Sequence, residues 1–177
     1  LPEMVEEALK KEKYDLITVV HNETSTGVAS RIPEIRRAID RAKHPALFMV
    51  DTISSLASLD FRHEEWGVDV TVGCSQKGLM LPPGLAFIAL SARAEEAMAA
   101  ATLPRFYFDL RRALDSHATD DTPWTPAVSL VTGLDVALGM ILREGLEAVW
   151  ERHARLGAAL RAGIGAMGLE LASRNPS

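Results

Sequence analysis

The sequence predicts an α/β protein, a mostly parallel sheet flanked by helices. Short apolar runs rich in β-branched residues recur along the first half of the chain, and stretches with helical spacing of apolar residues separate them. The polar segments HNETSTG, DTISS and CSQKG each follow directly on one of these runs. In such sheets, reactive residues gather beyond the carboxyl ends of the strands.

Taken in order, EMVEEALKKE (3–12) alternates acids, bases and alanines as an exposed helix does. YDLITVVHN places Leu16, Ile17, Val19 and Val20 in a strand expected to be buried on both faces, with HNETSTG as its exit loop. IPEIRRAIDRAK has Pro33 in a first turn and Ile32, Ile35 and Ile39 at helical spacing. HPALFMVD is a second strand, ending on Asp51. A third run spans Val68 to Val72 and a fourth Leu85 to Ser91, followed by the alanine-rich helix ARAEEAMAAA. The segment LPRFYFDLRRALDSHATDDTPWTP reads as irregular and aromatic. Beyond it the chain is helical almost throughout, with a break at Gly145 and with Leu134, Leu138, Ile141 and Leu142 on one face expected to pack in the core.

With 177 residues, a formal net charge of -5 and 47% hydrophobic residues, the chain suits one globular domain with a substantial core. A single cysteine, Cys74, rules out a disulfide within the chain and fits a reducing cytoplasm. The basic residues are scattered among acids, which argues against a nucleic-acid surface. No apolar stretch approaches the roughly 18 residues of a membrane-spanning helix. His21, His44 and His63 stand on separate loops without ligand spacing, so no metal is assigned. His63 and Trp66 are expected to pack or hydrogen-bond locally, and Cys74 to be a small buried residue. The start at Leu1 rather than methionine and the polar ending ASRNPS read as a segment of something longer.

The chemistry centres on Lys77, which follows a buried run and precedes GLMLPPG, a stretch rich in turn formers. A surface lysine is the plain alternative. A lysine buried at a strand end would be a nucleophilic amine able to form Schiff bases with carbonyls. Such a base holds either a substrate directly, as in an aldolase, or pyridoxal phosphate, and the second needs a carboxylate against its pyridine nitrogen. Asp51 could serve, although a turn or N-cap aspartate is the ordinary reading of that position. Thr24, Ser25, Thr26, Ser75 and Gln76 offer hydroxyl and amide donors for a phosphate and a phenolic oxygen. A serine hydrolase has no support from a G-x-S-x-G elbow.

HNETSTGV, VDTISSLASLDFRHEEWGVDVTVGCSQKGLMLPPGL and PWTPA together resemble the class V aminotransferases, pyridoxal-phosphate enzymes of fold type I, and within them the serine–glyoxylate branch. The resemblance covers nearly the whole chain and is most specific around SQKGLMLPPGL. It implies that Lys77 carries pyridoxal 5'-phosphate as a Schiff base and moves the substrate proton, while Asp51 pairs with the pyridine nitrogen. Thr24 would hydrogen-bond the phenolic oxygen, Gln76 would contact the phosphate, and Thr125 would reach the phosphate bound by a neighbouring subunit of a homodimer. The implied reaction takes the amino group of L-serine to glyoxylate. Alanine–glyoxylate and serine–pyruvate transamination are the nearest alternatives, and a non-catalytic binding role is the alternative of another class. A cysteine desulfurase fits less well, because Gln76 stands where that branch has histidine.

Two positions depart from the family pattern: Cys74 replaces a glycine, and Thr122 replaces an aromatic residue. The resemblance also implies a phosphate-cradling loop before Leu1 and a substrate-carboxylate arginine after Ser177. It divides the chain into a partial cofactor-binding large domain over 1–142 and the helical start of a small domain over 143–177.

Overall fold

The computed structural model describes residues 2–173. Helix α1 (Pro2–Lys11) leads into strand β1 (Leu16–Val20), a small hairpin of β2 (Asn22–Glu23) and β3 (Val28–Ala29), and helix α2 (Ile32–Ala42). Strands β4 (Leu47–Asp51), β5 (Val70–Cys74) and β6 (Ala86–Leu90) complete the main sheet. Four helices follow: α3 (Ala92–Ala100), α4 (Leu110–His117), α5 (Val128–Glu144) and α6 (Leu146–Ala166).

The sheet runs β1-β4-β5-β6, parallel across β1, β4 and β5 and antiparallel at β6. Its register sets Val20 beside Asp51 and Asp51 beside Val72, so the carboxyl ends of three neighbouring strands meet at one edge. The three polar segments singled out in the sequence thus come together. HNETSTG proves to be a hairpin rather than a plain loop, with Asn22 opposite Ala29.

Alternation along the strands decides what is packed. Phe48 and Val50, with Ile17 and Val19 beside them, meet Ile32, Ile35 and Ile39 of α2 and Leu9 of α1 in the main core. Phe87 lies on the same face, opposite Gly73, and packs in a second cluster with Leu79, Ile141 and Val149. That cluster ties α5 and α6 to the loops after β4 and β5. On the other face Leu16, Val20 and Ile88 are exposed. The expectation of strands buried on both faces therefore fails, because the helices packed in these two clusters lie against a single face.

The helical second half has its break at Gly145, whose φ of 89° ends α5 and starts α6. The expected leucine face is only partly a core: Ile141 is buried, but Leu138 is exposed and Leu142 is 76% exposed. Leu134, Leu138, Ile141 and Leu142 instead border an apolar groove of about 400 Å³ with Phe61 and Trp150. The segment expected to be irregular contains α4, started by Asp109, whose carboxylate accepts the Arg111 amide at 3.1 Å. Cys74 is buried, and His63 hydrogen-bonds locally through Nδ1 to Thr71 Oγ1 at 2.6 Å, as expected. Residues 174–177, the end of the expected small-domain segment, lie outside the described residues.

Candidate active site

Strand ends position the site. The His21 amide donates to the Asp51 carbonyl at 2.8 Å, and the Thr52 amide donates to the Val72 carbonyl at 2.8 Å, so hydrogen bonding continues from strand to strand past the edge of the sheet. The Cys74 thiol, 3.7 Å from the Ile53 carbonyl, adds a weak bond between the end of β5 and the turn after β4.

Asp51 closes β4, and its Oδ1 accepts the Ile53 amide at 2.8 Å, an Asx turn that fixes the carboxylate at the mouth of the strand. No other hydrogen bond to this carboxylate is found among the described residues, so Oδ2 can meet a cationic partner. Thr24, at the tip of the hairpin, hydrogen-bonds through its hydroxyl to the hydroxyl of Ser54 in the next strand's exit turn.

The lysine turn is fixed from behind. Ser75 is fully buried; its hydroxyl donates to the Pro82 carbonyl at 2.8 Å and accepts the Leu85 amide at 3.2 Å, while the Met80 amide donates to the Lys77 carbonyl at 2.9 Å. Gly78 lies so close to the 56–58 segment that a Cβ built there would stand 2.1 Å from the Leu56 carbonyl oxygen. Leu79 is buried in the second cluster. The backbone around Lys77 is therefore rigid, whereas its side chain is exposed. That corrects the expectation of a buried lysine: the turn packs through Gly78 and Leu79, and no described element covers the amine.

Lys77 borders a cleft of about 350 Å³ together with Ser54, Ser58 and Met140 and with the α5–α6 corner, where the Arg152 guanidinium grips the Glu144 carboxylate at 2.6 and 3.0 Å. The Glu144 carboxyl is held below its ordinary pKa by that guanidinium.

The other expected residues divide. Gln76 is exposed next to Lys77. Ser75, expected to offer its hydroxyl to a ligand, spends it inside its own turn. The Ser25 hydroxyl donates to Glu23 Oε1 at 2.7 Å and Thr26 Oγ1 accepts the Val28 amide at 3.3 Å, so both serve the hairpin. Thr125 is exposed, and no described hydrogen bond joins it to Lys77, Asp51 or Thr24. It follows Trp124, which stacks on Tyr107 at 5.3 Å and donates from Nε1 to the Tyr107 carbonyl at 3.2 Å. Sequence reasoning missed Ser54, Gly78 and the Glu144–Arg152 pair. Among the described residues, no group of three His, Cys, Asp or Glu side chains is placed to hold a metal ion.

Residues 2–175 match the class-V aminotransferase family. Over 174 residues the chain is 50% identical to the L-aspartate–glyoxylate aminotransferase of Paracoccus denitrificans, covering 97% of this chain and 44% of that protein. It is 45% identical over 183 residues to the serine–glyoxylate aminotransferase of Methylorubrum extorquens, covering 99% and 46%. The crystal structure of pyridoxamine–pyruvate aminotransferase from Mesorhizobium loti superposes with a TM-score of 0.90 at 35% identity, covering 98% of this chain and 45% of that one. The chain spans about half the length of the curated relatives it matches. Its strand ends, its lysine turn and its sequence agree on one conclusion: the chain belongs to the class-V aminotransferase family.

Proposed function

We propose that the intact protein is a pyridoxal-phosphate-dependent aminotransferase that moves the amino group of L-serine to glyoxylate, giving hydroxypyruvate and glycine. One observation carries this reading: a rigid turn presents Lys77 at the sheet edge where Asp51 and the Thr24–Ser54 hydroxyl pair end the two neighbouring strands. The donor set fits the cofactor, since it combines an amine, a carboxylate with an oxygen to spare and hydroxyls at one edge.

When bound, pyridoxal phosphate supplies a cationic pyridine ring that accepts electron density from the substrate α-carbon. Lys77 would hold it covalently through Nζ. Asp51 would keep a proton on the pyridine nitrogen through its carboxylate, and Thr24 would donate its hydroxyl to the phenolic oxygen. Gln76 and, from a second copy of the chain, Thr125 would bind the phosphate. Lys77 Nζ, once free, would take the proton from the substrate α-carbon as a general base and, as a general acid, hand it on to the carbon through which it had held the cofactor.

The exposed run of Leu103, Phe106, Tyr107 and Phe108, next to the Trp124–Thr125 segment, supports a homodimer that shares its sites. Residues 1–142 then belong to the large domain and 143–177 begin a small one, a division supported by the helix break at Gly145. No helix of the described residues is long and apolar enough to cross a membrane. The lone thiol of Cys74 supports a cytoplasmic location.

Serine is placed first as donor because two relatives at 45% and 42% identity carry that name. Aspartate competes, because the relative at 50% identity is named for it. Supplying the intact protein with glyoxylate and one of L-serine, L-aspartate or L-alanine, and quantifying glycine and the oxo acid, separates these donors. The highest kcat/KM is expected with serine, and Lys77→Ala should lower it at least about a hundredfold. A preference for aspartate would reassign the donor. No transfer from any of these donors, with pyruvate in place of glyoxylate as well, would leave only a non-catalytic binding role.

A further inference from the structure

His21 is the one histidine that the fold buries, at 6% exposure, and neither the reaction nor a metal site uses it. It stands immediately beyond the carboxyl end of β1, between the two segments that carry Thr24 and Asp51. Its backbone joins both. The amide donates to the Asp51 carbonyl at 2.8 Å, and its carbonyl accepts the Ser30 amide at 2.8 Å, closing the base of the β2–β3 hairpin. The imidazole adds a side-chain tie, with Nδ1 2.9 Å from the hydroxyl of the fully buried Ser55, a hydrogen bond in either tautomer. Ser55 belongs to the turn after Asp51 and its amide donates to the Thr52 carbonyl at 3.0 Å. The ring is held by Phe61 at 5.6 Å and, edge-on, by Trp66 at 6.1 Å.

The hairpin needs such a tie. Its strands are two residues long, too short to stand alone. Thr24 reaches the neighbouring turn only through an exposed hydroxyl pair with Ser54. A site works only if its groups are held to within about 0.5 Å, and a surface hydroxyl pair competing with water does not achieve that alone. The buried imidazole–hydroxyl bond lies behind that pair, shielded from solvent. Burial also lowers the His21 pKa to about 4, with Asp60 opposing weakly, so the ring stays neutral and the bond persists around neutral pH.

We propose that His21 is a positioning residue: through Ser55 it locks the hairpin bearing Thr24 to the turn bearing Asp51, so that the two groups meet the cofactor as one preformed unit. This role rests on the cofactor reading of the site given above.

The test compares His21→Phe, which keeps an aromatic ring but not the bond, with Ser55→Ala and with His21→Gln, which keeps a hydrogen-bonding group. Two quantities are read on the intact protein: amide hydrogen exchange over 22–29 and 52–56 without cofactor, and the dissociation constant for pyridoxal phosphate. Exchange in both segments should rise together in His21→Phe and in Ser55→Ala, and each variant should bind pyridoxal phosphate about tenfold more weakly, the worth of one buried hydrogen bond. The double variant should be no worse than either single one, and His21→Gln should recover part of both effects. Unchanged exchange in the hairpin, or effects of the two substitutions that simply add, would overturn the proposal. Wild-type protein that shows coupled exchange but binds no pyridoxal phosphate would overturn the cofactor reading instead.

Discussion

Gly78 has no room for a side chain. A Cβ there would stand 2.1 Å from the Leu56 carbonyl oxygen and 2.7 Å from Ser58 Oγ, so Gly78→Ala should cost about 1–3 kcal/mol by overpacking and push the lysine turn away from Asp51. Urea unfolding and cofactor affinity measured on the same sample would check both effects. His21 gives a residue-scale prediction in pH. Its pKa falls from 6.5 to about 4 on folding, mainly through burial, so between those values the unfolded chain binds the extra proton. Stability should therefore fall as pH drops from about 6.5 towards 4, by about 1.4 kcal/mol for each pH unit crossed. Wild-type stability minus that of His21→Gln, measured by urea unfolding at pH 5 and 7, isolates this slope, and an unchanged difference would contradict it. The placement of Lys77, Asp51 and Thr24 at one sheet edge was legible because each lies beyond an apolar run and parallel strands end at one edge. The His21–Ser55 bond was not, because it joins positions 34 apart and no spacing rule announces it. The exposure of the Lys77 side chain was likewise illegible, since composition cannot tell a packed turn from a packed side chain.

At the scale of elements, the α5–α6 corner closes the far wall of the cleft beside Lys77. Gly145 turns it with a φ of 89°, and a Cβ there would meet nothing within 4 Å, so Gly145→Ala should cost about 1–3 kcal/mol through backbone strain alone. Thermal unfolding would show it; a neutral effect would mean that the corner relaxes. Helix α2 was readable from Pro33 and the isoleucine spacing, and the break at Gly145 from the glycine itself. Helix α4 was harder: it has eight residues and buries none of them, so no apolar stripe marks it. Its one local signal is Asp109 as N-cap. The antiparallel direction of β6 was hidden as well, because a five-residue run such as AFIAL reads the same whichever way it pairs.

At the scale of the molecule, apolar surface beyond the groove beside α5 and α6 stays open among the described residues: on the sheet face with Leu16, Val20 and Ile88, and on the aromatic run whose Phe108 is 86% exposed. The apolar runs alone suggest two-sided strands, since a run of apolar residues does not say how many faces a chain's own helices reach. If the aromatic run is the contact between copies, Phe108→Asp in the intact protein should shift sedimentation from dimer to monomer and weaken cofactor binding with it, because Thr125 of the second copy would be lost. A dimer unchanged by Phe108→Asp would place the contact elsewhere. The central claim is that the Lys77 amine, at the meeting point of three strand ends, is the group that holds the cofactor. Borohydride reduction of the intact protein with pyridoxal phosphate, followed by peptide mass spectrometry, tests it most directly. The cofactor should be found fixed to the Lys77 peptide and to none containing Lys10, Lys11, Lys13 or Lys43; stoichiometric labelling at any other lysine, or none at Lys77, would contradict it.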